Sequence, residues 1–103
     1  MNLAQLKAAG AYITAEPVKH EIQWKEQTFN VHIRRMAYAE VEAIMNAEGS
    51  KNAALVAASV LLGEDLEPIT AADVERFDPQ LVFALVAGIN KVNGTQAGEA
   101  GNA

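Results

Sequence analysis

The most completely specified pattern of apolar and polar positions, that of a helix, lies in residues 78–94, DPQLVFALVAGINKVNG. At 100° per residue Leu81, Leu85, Ile89 and Val92 share one arc with Val82 and Val86, and Phe83 lies just past its edge. No charged residue falls between Pro79 and Asn90, so the spacing predicts a helix that needs cover on more than one side. Its ends are also specified. Asp78 can cap it, Pro79 suits the first helical position, Lys91 complements the last turn, and Gly94 can close it in the left-handed conformation.

Upstream, the period changes twice. Asn2 can cap a short helix with Leu3 and Leu6 on one face, ending at Gly10, and residues 11–17 read as an irregular link because Pro17 biases Glu16 toward extended backbone. From Val18 the period is two: Val18, His20, Ile22 and Trp24 alternate with polar residues. After a turn at 25–28, Phe29, Val31 and Ile33 do the same. An antiparallel hairpin with one apolar face follows. A lone hairpin is marginal in water, so that face must lie on helices. Tyr38, Val41, Ile44 and Met45 have helical spacing up to Gly49. Ser50 can cap a second helix running through Leu62 to Gly63, with Ser59 inside it. Residues 64–68 read as a polar loop, and Thr70 with Asp73 resembles a capping box opening a short helix with Val74 and Phe77. The predicted fold is α+β: a mainly helical single domain of four to five short helices with one antiparallel β-hairpin over residues 1–94. The predicted core is Ile22, Trp24, Phe29, Val31, Ile33, Leu81, Leu85 and Ile89. Residues 95–103 carry no large apolar side chain and read as a disordered tail.

Composition narrows the function. A chain of 103 residues supports one modest core, with a radius of about 13 Å by the usual scaling. Its net charge of −5 falls entirely in residues 52–103, because residues 1–51 balance six cations against six anions. An acidic second half disfavours nucleic-acid binding, which depends on neutralising phosphates. Lys25, Arg34 and Arg35 could form only a small basic patch. The lack of cysteine removes disulfide and thiol chemistry and fits a reducing cytoplasm. No stretch approaches the ~18 apolar residues of a membrane span, and the first residues lack a secretion-signal layout.

Candidate chemistry is sparse. His20 shares the apolar register of its strand and His32 the polar register of the next, so they project from opposite sheet faces and cannot readily share a metal. Glu64, Asp65 and Glu67 lack the ligand spacing of a calcium loop. Neither Ser50 nor Ser59 has nucleophile-elbow glycines, and no phosphate-binding glycine loop occurs. The residues therefore indicate a non-enzymatic interaction domain without catalytic, metal or cofactor residues.

Four segments in order add a likeness. Residues 2–12 (NLAQLKAAGAY), the hairpin pieces 21–24 (EIQW) and 29–35 (FNVHIRR), residues 57–65 (AASVLLGED) and residues 89–94 (INKVNG) together resemble the tail assembly chaperones of bacteriophages and prophages. The resemblance spans about residues 2–94. Two positions depart from it: Ala37 stands where a small hydroxyl residue often opens the helix after the hairpin, and Leu66 where a glycine often follows the GED run. The resemblance implies a small helper in the bacterial host cytoplasm. It would transiently bind the phage tape measure protein, help recruit major tail tube protein, and leave before the tail is finished. It also implies that the chain could be the shorter of two frameshift-related products. The family carries no catalytic residues, so none transfer. Of the apolar arc, Leu81, Leu85, Ile89 and Val92 are assigned to the hairpin, and Val82, Phe83 and Val86 to helices or a partner. Self-association through the same apolar surface is expected when no client is present. The rival readings are a structural tail or neck component of the virion and a small regulatory adaptor.

Overall fold

A computed structural model describes residues 1–14 and 16–94. The expected tail at 95–103 lies outside the described residues. In chain order the elements are α1 (Leu3–Ala8), β1 (Val18–Trp24), β2 (Gln27–Ile33), α2 (Tyr38–Met45), α3 (Lys51–Ser59), β3 (Val60–Leu62), β4 (Glu67–Pro68), α4 (Ala71–Val74) and α5 (Pro79–Asn93). The fold is α+β, with the strands forming one antiparallel sheet in the order β1-β2-β3-β4.

The hairpin turns on Lys25 and Glu26 alone, since Trp24 already pairs with Gln27. Lys25 has φ 57°, the positive value that a two-residue hairpin turn demands of its first central residue. Two expectations need correction. The helix that begins at Ser50 stops at Ser59, not Leu62, and the chain passes directly into β3, which pairs His32 with Leu61 and Ile33 with Val60. Residues 64–68 are not simply a loop, because Glu67 and Pro68 form a short fourth strand against Leu62 and Leu61. A single hairpin thus becomes a four-stranded sheet. The physical reason is that three consecutive apolar residues, Val60, Leu61 and Leu62, carry no period of their own, and β-branched Val60 completes the open edge of β2. The turn between β3 and β4 closes with Leu66 N–H donating to the Gly63 carbonyl at 3.2 Å. It places Leu66 at φ 55°, a conformation that strains a residue with a Cβ.

The buried core joins the sheet to two helices. Ile22, Val31, Ile33 and Val60 meet Ala53 and Val56 of α3 and Leu85 and Ile89 of α5, with Ile69 and Val74 completing the cluster. Phe29 and Leu81 are partly buried against it, and Trp24 is half-buried at its edge. Arg34 fastens α2 and α3 to the sheet. Its backbone N–H donates to the Ser59 carbonyl at 2.8 Å, and its guanidinium donates to the Ala58 carbonyl at 2.7 Å and to Glu40 at 2.8 Å. A cation at the C-terminus of α3 also complements that helix's dipole. Arg34 is therefore engaged inside the fold, and Lys25 lies over the Trp24 ring, 4.9 Å from its centroid, so the basic patch considered from the sequence is dispersed. Ala37 caps α2 without a side-chain acceptor; Glu40 compensates by accepting from the Ala37 N–H at 3.2 Å.

Helix α5 crosses the sheet at Gly88. A Cβ there would lie 2.8 Å from His20 Cδ2, 3.0 Å from His20 Nε2 and 3.3 Å from Ile33 Cδ1. Glycine inside a helix costs about 1 kcal/mol relative to alanine, and here the missing side chain is replaced by the imidazole of β1. Leu81, Leu85 and Val92 stand seven and three positions before Gly88 and four after it, so they share its side of the helix. At the far end Asn93 accepts from the Met36 N–H at 2.9 Å and donates to the Ile89 carbonyl at 2.9 Å. Gly94 then closes α5 at φ 69°.

The Gly88 contact yields a sign-reversal test. Gly88→Ala is expected to destabilise the native protein by about 1 kcal/mol in urea denaturation, because overpacking outweighs the helix-propensity gain. In a His20→Ala background the same substitution should stabilise by about 1 kcal/mol, its helix-propensity value.

Candidate functional site

The starts of α3 and α5 meet the end of the short helix α4 on one side of the molecule. Ser50 Oγ accepts from the Ala53 N–H at 3.1 Å and starts α3. Thr70 and Asp73 exchange a capping box at 3.1 and 3.3 Å and start α4. Asp78 starts α5, its Oδ1 accepting from the Gln80 N–H at 3.1 Å and its Oδ2 from the indole N–H of Trp24 at 3.1 Å. Asp78 therefore caps a helix and ties the end of β1 to it.

Where the three helices meet lies a groove of about 300 Å³, lined by Ser50, Asn52 and Ala53 at the start of α3, Val74, Glu75 and Phe77 at the end of α4, and Pro79, Val82 and Phe83 of α5. Ala53 and Val74 are buried beneath it, and Phe77 and Val82 are half-buried. Phe83 is 63% exposed. An exposed phenyl ring beside an apolar depression is chemistry for capturing another apolar side chain. The polar groups here are a hydroxyl already accepting a cap hydrogen bond, an amide and the Glu75 carboxylate.

Of the three residues assigned to a partner, Val82 and Phe83 line this groove, whereas Val86 is partly buried against the core and does not. Phe77, Val74 and Ala53 were missed. Phe77 was visible in the sequence as an apolar residue just before the α5 cap, but only the tertiary fold shows that it faces Phe83's side of the helix. The histidines lie elsewhere: His20 packs against Gly88, and His32 is on the other sheet face, with its Nδ1 buried and without a hydrogen-bond partner. Among the described residues no group of three or more His, Cys, Asp or Glu side chains could hold a metal ion, and no helix is long and apolar enough to cross a membrane.

The sequence model of the phage tail assembly chaperone family, TAC, matches residues 4–93. The chain belongs to this family. No curated protein and no solved structure matches it. The matched residues take in every strand of the tail assembly chaperone and all of the groove.

Electrostatics make the caps of this chaperone sensitive to acid. The Gln80 and Trp24 N–H groups, aided by the charge of Lys25, hold Asp78 below its ordinary value of 3.8 against a smaller opposing effect of burial. The hydrogen bond from Arg34, with the Ala37 N–H and the charge of Arg34, holds Glu40 below 4.5 against burial. Folded-state values below the unfolded ones mean that the unfolded chain binds more protons, so this stabilisation is complete above the ordinary values and is lost as pH falls through the lowered ones. The melting temperature should drop on acidification below about pH 4.5, as these carboxylates protonate. Asp78→Asn, which keeps a capping oxygen but removes the charge, should show a smaller acid-induced drop in thermal melts followed by circular dichroism.

Proposed function

We propose that this tail assembly chaperone binds the phage tape measure protein through the α3–α4–α5 groove, keeps its apolar helical surface covered, and helps recruit major tail tube protein around it. The role is stoichiometric and non-catalytic, and it is exercised in the bacterial host cytoplasm with residues 1–94 as the working domain. The observation that carries the reading is Phe83. It is a large apolar side chain on the central helix, exposed beside a groove, in a chain whose family acts in tail assembly. Exposed apolar surface on a long helical client invites aggregation, and temporary cover by a complementary groove suppresses it.

Phe83→Asp tests the groove. Because the side chain is exposed, the circular dichroism spectrum should be unchanged, while co-purification with the tape measure protein should be lost; full retention would remove this helix from the interface. A second measurement separates a chaperone from a tail or neck component. Mass spectrometry of purified virions should detect the tube and tape measure proteins but not this chain.

A further inference from the structure

Four of the large apolar side chains left exposed among the described residues, Met1, Leu3, Leu6 and Tyr12, fall within the first twelve positions. They belong to a segment that is folded but not packed. Helix α1 has a complete capping box, Asn2 Oδ1 accepting from the Gln5 N–H and Gln5 Oε1 from the Asn2 N–H, both at 2.8 Å. It nevertheless buries none of its residues. Six residues are too few for a helix to hold its shape in water unaided, so the capped turn gains stability only when its apolar face meets a surface. Leu3 and Leu6, three apart, form that face at 64% and 42% exposure.

Among the described residues the groove is a complement to that face. The groove presents Phe77, Val82 and Phe83 together with Glu75, whose carboxylate makes no ion pair or hydrogen bond among the described residues. Residues 1–14 carry a single charged side chain, Lys7, against the acidic second half of the chain that supplies most of the groove. Lys7 sits over the Tyr12 ring at 5.0 Å and has no carboxylate partner among the described residues. A helix of six residues is about 9 Å long, which suits a depression of about 300 Å³. We propose that α1 of one copy docks in the groove of a second copy, with Leu3 and Leu6 against Phe77, Val82 and Phe83 and Lys7 facing Glu75. Helix and groove are different surfaces, so the contact is heterologous: reciprocal exchange closes a dimer, and one-way docking builds a series. Small buried area makes it concentration-dependent. The consequence that docking of α1 and capture of a client exclude each other rests on the groove reading above; the association itself does not.

Sedimentation equilibrium of the full chain alone, over a wide concentration range, should show a mass that rises above the monomer. Leu3→Asp combined with Leu6→Asp should weaken association by about tenfold or more with unchanged circular dichroism. Lys7→Glu and Glu75→Lys should each weaken it, and together restore it. The chain has no cysteine, so Leu6→Cys in one tagged copy and Asn52→Cys in another should trap a mixed disulfide under mild oxidation. A monomer at every concentration with no mixed disulfide overturns the proposal, as does association indifferent to Leu3→Asp and Leu6→Asp. A Leu6→Cys, Asn52→Cys double variant that crosslinks only within one chain also overturns it. Tape-measure capture reads the groove separately. It should survive Leu3→Asp with Leu6→Asp, and its loss under Phe83→Asp does not depend on self-association.

Discussion

The close approach of α5 to β1 at Gly88 is the contact on which the remaining geometry depends. With His20 filling the space of the missing side chain, the helix axis comes near enough for Leu85 and Ile89 to be almost fully buried against the strands. The same approach brings Asp78 within reach of the Trp24 indole, which sets where α5 begins. Both ends are then fixed, the start to the sheet through Trp24 and the finish to the link between β2 and α2 through Asn93 and Met36. A helix pinned at its start, middle and end has a fixed rotation about its own axis. That rotation decides which apolar residues remain outside.

The surplus is small and localised. One flank of α5 is used by the sheet, and the opposite flank packs on α3, where Val82 and Val86 are partly buried. Phe83 falls between these uses. Val82 and Val86 are both partly buried against the core, and they differ in that Val82, one turn earlier and beside α4, also lines the groove. One helical turn along a single stripe thus separates a valine that lines the groove from one that does not.

That distinction marks the limit of what could be read in the residues alone. The caps at Ser50, Thr70 and Asp78, the closing Gly94 and the alternation of β1 and β2 are local signals, and each appears where its residues indicate. The extra strands are a different case. Val60, Leu61 and Leu62 continue the apolar pattern of α3, and nothing local tells a last helical turn from a strand; the open edge of β2, dozens of residues away, decides it. Likewise Ala37 has no capping side chain, yet α2 starts there because Glu40 and Arg34 supply the missing interactions. Leu66 takes a left-handed backbone in a turn whose neighbours, Gly63 and the β3–β4 pairing, leave it little choice. Groove membership was half legible: periodicity placed Val82 and Phe83 on the outer flank, but Phe77 and Val74 reach the site through a turn whose direction no periodicity encodes.

The two walls of the groove are also built to different strengths. The α5 wall is a fifteen-residue helix capped at both ends and anchored to the sheet. The α4 wall is a four-residue helix held by the Thr70–Asp73 box and by burial of Val74. A single helical turn has little cooperativity of its own, so displacing it costs less than displacing α5, whose movement would break the Gly88, Trp24 and Asn93 contacts together. Local opening free energies follow that kind of contact density. Under the proposed docking of an apolar side chain, a larger guest would be accommodated by movement of Val74, Glu75 and Phe77 against a stationary Val82 and Phe83. In that reading the rigid wall would set where an apolar side chain docks, and the softer wall how large it can be.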